Sequence, residues 1–172
     1  LDDAKVARVR KVMAEQTPAL SDPKARGLYR KEVFVPQNNA PDVRCLLYGA
    51  DAISKESLTG AYLHIHGGGY LFGSPEGSDP MNLHIAKELG VVVLSVDYRL
   101  APEHPIPAPL DDCYAALSWL HENSEDLGID RKRIGIGGES AGGGLAAALA
   151  IKARDPGEYA VCWQALTYPM LD

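Results

Sequence analysis

The run Val91-Val92-Val93-Leu94-Ser95-Val96 limits how this chain can fold more than any other segment. It has the length of a strand, is apolar almost without alternation and is rich in β-branched residues, the pattern of a parallel strand covered on both faces. Helical patterns stand on either side of it. Before it, Asp79–Leu89 places Leu83, Ile85, Ala86 and Leu89 at apolar positions and stops at Gly90, a residue suited to the left-handed turn that ends a helix. After it, a loop spaced by Pro102, Pro105, Pro107 and Pro109 leads into a helix with Leu110, Cys113, Tyr114, Leu117 and Leu120 on one side. Strands at 61–66, 133–137 and 161–168 and a helix at Ala141–Arg154 complete the series. From residue 61 onward strands and helices alternate, which predicts an α/β chain built on a mostly parallel sheet flanked by helices.

Upstream, Asp3–Gln16 reads as a helix with Val6, Val9, Val12 and Met13 on one face, so it needs a surface to cover. A short helical stretch at 23–29 follows, then two β-type runs, 31–36 and 43–48, joined by the turn-forming Gln37-Asn38-Asn39-Ala40-Pro41 as a hairpin. No internal repeat or long linker divides the chain. At 46% hydrophobic and 23% charged it has the material for one sizeable core. A formal charge of -6 argues against nucleic acid or an anionic membrane surface and in favour of small-molecule partners. The apolar runs are too short to span a bilayer and no signal-peptide pattern is visible, so a cytoplasmic setting without a membrane span is expected. Cys45, Cys113 and Cys162 show no CxxC spacing and are expected as buried, reduced thiols.

The chemistry lies in two glycine-rich turns. Gly138-Glu139-Ser140-Ala141-Gly142 is a GxSxG sequence between a strand and a helix, where a serine must adopt a strained backbone and present its hydroxyl clear of the sheet. The helix behind it directs free N–H groups and the positive end of its dipole toward charge developing there. His66-Gly67-Gly68-Gly69-Tyr70 ends the strand at 61–66, and three glycines let main-chain N–H groups approach a carbonyl oxygen as an oxyanion hole requires. With the Ala141 N–H, this loop would bring the number of donors to three. His66 is expected to anchor that loop through its ring and not to act as a base. His64 and His66 alternate on a strand, but no third ligand stands at a suitable spacing, so no metal is expected. Gly142, Gly144 and Ala147 formally fit a dinucleotide fingerprint, yet they fall inside the helix and suit close helix-to-sheet packing; no cofactor is expected.

These residues resemble the bacterial hormone-sensitive-lipase-like esterases of the α/β-hydrolase fold. Four segments carry the likeness in order: HGGGY at 66–70, DYRLAPEHPIPAPLDD at 97–112, GESAGG at 138–143 and YPMLD at 168–172. The resemblance implies Ser140 as nucleophile, Gly68, Gly69 and Ala141 as oxyanion donors, short to medium acyl esters as substrates and no cofactor. It also implies that residues 1–30 are cap helices and 31–172 the first part of the catalytic core. In the DYRLAPEHP segment Asp97 and Arg99 are expected to pair with each other as scaffold. Glu103 and His104 invite an acid and base assignment but stand on the wrong side of the family's order. Tyr70 and Phe72 either line the substrate pocket or simply pack.

The family's triad runs serine, aspartate, histidine along the chain. The residues after Ser140 include Asp155 and Asp172 but no histidine, the last being His121. Asp155 precedes Pro156-Gly157 and Asp172 closes YPMLD, so neither matches the family's acid. The expectation is therefore a piece of a longer protein whose C-terminal portion supplies both residues and is needed for activity. The competing reading is a non-catalytic member of the fold that holds a small ligand, and a purely structural domain is a third. A histidine in that portion, or labelling of Ser140 by an organophosphonate, separates them; homo-oligomerisation stays open.

Overall fold

The computed structural model describes residues 2–17, 19–50 and 58–171. Helix α1 (Asp3–Gln16) has the range its periodicity predicts and opens at Asp2, whose carboxylate accepts from the Lys5 amide at 2.9 Å, satisfying one free N–H of the first turn. A 3-10 turn at Pro23–Arg26 precedes the antiparallel hairpin of β1 (Leu28–Val35) and β2 (Val43–Ala50). The helical stretch ends and β1 begins earlier than expected because Gly27, at φ 68°, turns the chain directly into the sheet and Leu28 is buried there. Then come β3 (Thr59–Ile65), α2 (Asp79–Leu89), β4 (Val92–Val96), α3 (Ala108–Glu122), β5 (Ile129–Glu139), α4 (Ala141–Arg154) and β6 (Trp163–Thr167), the alternation read from the sequence. Strand β5 reaches beyond 133–137 at both ends. Ile129 pairs with Thr59 and Ile134 with Ala61, so the charged Asp130-Arg131-Lys132-Arg133 stretch falls in an irregularity that hides the strand's start from a periodicity argument.

Among the described residues the six strands form one sheet in the order β1-β2-β4-β3-β5-β6. β4, β3, β5 and β6 run parallel, and β2 joins β4 antiparallel. Alternation along each strand sorts side chains to two cores. Leu63 and Ile65 of β3 and Leu94 and Val96 of β4 enter the larger core, with Cys113, Leu117 and Leu120 of α3 and Leu145 and Leu149 of α4. Tyr62 and Val93 face the other way, against Leu83 and Ala86 of α2. The central β4 thus needs apolar residues at odd and even positions alike, which is why its sequence shows no period. Each such buried side chain contributes about 1.5–3 kcal/mol to folding.

Two expectations need correction here. Cys45 and Cys113 are buried, and burial pushes the Cys45 thiol up to about 12, but Cys162 is exposed because it leads into β6, the edge of the sheet among the described residues. Asp97 and Arg99 do not pair with each other. The Asp97 N–H still bonds the Arg44 carbonyl across the ladder, which sets its carboxylate 2.9 Å from the Arg44 guanidinium. By Arg99 the chain has turned over the start of α3, and both backbone and side chain bond Asp112, with Arg99 Nε at 2.9 Å and a terminal nitrogen at 2.7 Å. Asp112 is buried and also accepts from Gln37 at 2.8 Å.

Removing the guanidinium strands a buried carboxylate, so Arg99→Met is expected to lower the stability of the intact protein by about 3 kcal/mol. Urea unfolding measures this; a loss under about 0.5 kcal/mol would mean the pair behaves as an exposed one.

Candidate active site

Ser140 joins β5 to α4 at φ 52° and ψ -117°, a backbone conformation that costs a non-glycine residue on the order of 1–3 kcal/mol. Main-chain bonds hold it there. Its N–H donates to the Thr167 carbonyl at 3.0 Å, and its own carbonyl accepts from Gly144 at 3.0 Å and Met170 at 2.8 Å. The segment after β6, recognised in the sequence only as part of a motif, therefore fastens the serine turn. The flanking glycines answer a demand for space: a Cβ on Gly138 or on Gly142 would run into the Ile65 carbonyl. Parallel pairing of β3 with β5 sets Ile65 beside Gly138, so the glycine loop after β3 and the serine turn after β5 emerge side by side. A Cβ on Gly67 would lie 2.8 Å from the Glu139 carbonyl and 3.6 Å from the Ser140 Cβ.

The glycine loop is sharply coiled, with Gly68 at φ 130°, Gly69 at 61° and Tyr70 at 63°. The Leu71 and Phe72 amides donate to the Gly68 carbonyl at 3.1 and 2.9 Å. His66 packs its ring on Tyr98 at 4.2 Å, sets Nδ1 2.8 Å from the Gly67 carbonyl and accepts the Tyr98 hydroxyl at its own carbonyl. The Gly67 carbonyl requires the proton on Nδ1, leaving Nε2 buried without a hydrogen-bond partner among the described residues. Burial lowers the His66 pKa to about 4 against the opposing pull of the Gly67 bond. It is a neutral anchor, as expected.

Beneath both turns lies a contact that the sequence did not announce. His64, fully buried, has Nε2 3.3 Å from the Glu139 carboxylate and Nδ1 3.0 Å from the Ser95 hydroxyl, with the Asn82 amide at 3.3 Å. Burial opposes ionisation of Glu139, but the His64 hydrogen bond prevails and holds the carboxyl below its usual range. The available signal was that Glu139 directly precedes Ser140 while His64 stands two residues before the glycine loop. Among the described residues no cluster of three or more His, Cys, Asp or Glu suits a metal ion.

Neither the His64 ring nor the His66 ring hydrogen-bonds the Ser140 hydroxyl, and neither do the remaining histidines. His84 and His104 are exposed, and His121 bonds the Ala160 carbonyl at 3.0 Å. Glu103 is bound to Arg10 at 2.8 Å, Asp155 pairs with its neighbour Arg154, and Asp172 lies outside the described residues. A groove of about 480 Å³ beside α3, walled by Tyr114 and Trp119, lies away from these turns. Among its polar side chains Lys152 pairs with Asp111, and Glu122 accepts from Ser118 and from Tyr159.

A family model described as alpha/beta hydrolase fold matches residues 62–172. The carboxylesterase NlhH of Mycobacterium tuberculosis is 47% identical over 107 residues, which is 62% of this chain and 34% of that protein. Among solved structures, a bacterial heroin esterase superposes with a TM-score of 0.89 at 40% identity, over 98% of this chain and 53% of its own. A hyperthermophilic esterase from Pyrobaculum calidifontis gives 0.83 at 37% identity, over 95% and 53%. The chain thus spans about a third of the curated relative and about half of each solved esterase. No helix among the described residues is long and apolar enough to cross a membrane.

Because burial holds the folded His66 pKa at about 4, below the ordinary imidazole value of 6.5, the unfolded chain binds more protons between those values. The His66 contribution to stability therefore rises with pH across that window, by about 3 kcal/mol in all. Urea unfolding of the intact protein and of His66→Asn checks this: the wild type should gain on the variant between pH 4 and 6.5, and a constant difference would mean that His66 titrates as a free imidazole.

Proposed function

We propose that this chain, which belongs to the alpha/beta hydrolase fold family and within it to the hormone-sensitive-lipase-like carboxylesterases, carries the nucleophile and oxyanion donors of a serine carboxylesterase. The observation that carries the reading is the strained Ser140 turn, held by main-chain bonds immediately beside the coiled glycine loop. Strain of that kind persists only where the surroundings enforce it, and here they enforce a serine at the start of a helix. In this reading the Ser140 hydroxyl attacks the acyl carbonyl of a short to medium acyl ester and passes its proton to an imidazole. The carbonyl oxygen becomes an anion that the N–H groups of Gly68, Gly69 and Ala141 stabilise. The alcohol leaves with the proton, and water then cleaves the acyl-serine by the same steps in reverse.

The five histidines of the chain are buried in other bonds or exposed elsewhere, and none bonds the Ser140 hydroxyl. The general base and the carboxylate that orients it are therefore assigned to residues outside these 172. Of residues 1–30, expected as cap helices, Leu28–Arg30 belong to the sheet; the residues ahead of them act as a cap over the site in this reading, and no cofactor takes part. Carboxylesterase and esterase relatives support an ester as substrate.

An organophosphonate should label Ser140 of the intact protein stoichiometrically, and Ser140→Ala should remove both labelling and turnover of a short-chain p-nitrophenyl ester while the protein stays folded. Ligand binding without labelling would instead point to a non-catalytic pocket. The two glycines should differ. A Cβ at Gly68 strikes the Phe72 carbonyl, whereas at Gly69 it meets open space and only the φ of 61° is unfavourable. Gly68→Ala is expected to cost on the order of 100-fold or more in kcat and Gly69→Ala clearly less; equal losses, or losses in KM alone, would count against the loop as an oxyanion hole.

A further inference from the structure

Helix α1 is poorly held by its apolar face. Val6 is 2% exposed, but Val9, Val12 and Met13, expected to share its surface, are 38%, 42% and 44% exposed. An isolated helix of 14 residues is marginal in water, so something else must seat it. That something is Arg10. Its Nε donates to the Leu71 carbonyl at 2.8 Å, one terminal nitrogen donates to the Ala101 carbonyl, and the two terminal nitrogens reach the oxygens of Glu103 at 2.8 and 3.0 Å.

The acceptors are not arbitrary loop atoms. Leu71 lies in the turn whose amide closes on the Gly68 carbonyl at 3.1 Å, and the Ala101 amide donates to the Tyr70 carbonyl at 2.9 Å. The guanidinium thus spans two loops that are already bonded to each other, one of which continues the glycine loop. Its planar fork of donors can serve two carbonyls and a carboxylate together, which an ammonium on a single flexible stem cannot. The Arg10–Glu103 ion pair alone contributes little, since the Glu103 side chain is 56% exposed. Geometry is what the contact provides, and it gives Glu103 a task other than the acid its sequence neighbourhood suggested.

We propose that Arg10 is a positioning residue for ester hydrolysis, locking α1 and the loops at 70–72 and 100–103 into one unit so that the Gly68 and Gly69 donors keep their place relative to Ser140. The inference rests on the esterase reading of that site. Misplacement of reacting groups by about 1 Å costs roughly 100-fold in rate, so small slackening of the loop is enough to be measured.

The test is initial-rate kinetics of the intact protein on a short-chain p-nitrophenyl ester, with thermal melts to establish folding and phosphonate labelling to count competent Ser140. Arg10→Ala should lower kcat about tenfold or more with KM within about twofold. Arg10→Lys, which keeps the charge without the fork, should recover only part of the loss. Glu103→Gln, which leaves both carbonyl contacts in place, should stay near the wild type. Val6→Ala loosens the packing of α1 without touching the loops and should leave kcat near the wild type. An unchanged kcat in Arg10→Ala overturns the proposal. So does full recovery in Arg10→Lys, or a Val6→Ala loss equal to that of Arg10→Ala, which would reduce Arg10 to a helix fastener. If Arg10→Ala does not fold, Arg10→Lys decides by the same criterion. A wild-type protein with neither turnover nor labelling overturns the esterase reading and this one with it, whereas an active wild type matched by Arg10→Ala overturns this one alone.

Discussion

The approach of Gly138 and Gly142 to the Ile65 carbonyl is the contact on which the rest of the structure depends. At that point β3, β5 and the first turn of α4 come together with no room for a Cβ on either glycine. Neither glycine has a positive φ, so the requirement is one of space and not of conformation. Three consequences follow from the single constraint. The helix axis is drawn against the sheet, Ser140 is forced into its unfavourable backbone at the corner, and the loop leaving β3 emerges within reach of it. A larger residue at either glycine would separate strand from helix, and with them the two turns that must act together.

A strained corner stays strained only if its surroundings are stiffer than it is. Here the stiffness comes from several directions. Thr167 and Met170 hold the Ser140 backbone, and Pro169 packs on Gly143. His66, stacked on Tyr98, stiffens the start of the glycine loop, and His64 with Glu139 ties β3 to β5 just below both turns. Farther out, Arg44 gathers Glu32, Glu76 and Asp97 from β1, the turn at Pro75–Ser78 and the end of β4. Burial disfavours the Arg44 cation, but its hydrogen bonds to the three carboxylates prevail and keep it firmly charged. For Asp97 the balance runs the other way, burial raising its carboxyl above the usual range despite Arg44. His64, His66 and Glu139 are thus held in place beside the two turns, which suits a scaffold for a reaction that needs fixed donors.

The parts of this arrangement that were legible in the sequence are those governed by local physics. Two-sided burial of β4 needs five apolar or small residues in a row, and a helix that ends in a left-handed residue needs a Gly90. The serine turn and the glycine loop were legible because backbone that approaches backbone leaves glycine as the only answer, and that answer is written in the chain. Periodicity failed where a strand carries an irregularity, as at the charged start of β5, and where a helix face is only partly covered, as on α1.

Partner choice was the opaque part, and the reason is one of degeneracy. Asp97 and Arg99 are neighbours of opposite charge, so pairing them is the cheapest guess, yet strand pairing delivers Asp97 to Arg44 and the chain's turn delivers Arg99 to Asp112. Arg10 and Glu103 stand far apart in a chain holding 17 basic and 23 acidic residues, and no local rule selects that pair from the others. A hydrogen bond to a main-chain carbonyl is less legible still, because every residue offers one. Arg10 takes two such carbonyls, from Leu71 and Ala101, and they become specific only once β3, β4 and the loops after them have been folded side by side. The fold therefore precedes the site in a strict sense: close-packed glycines create the corner, and the corner decides which of many equivalent charges and carbonyls will hold it.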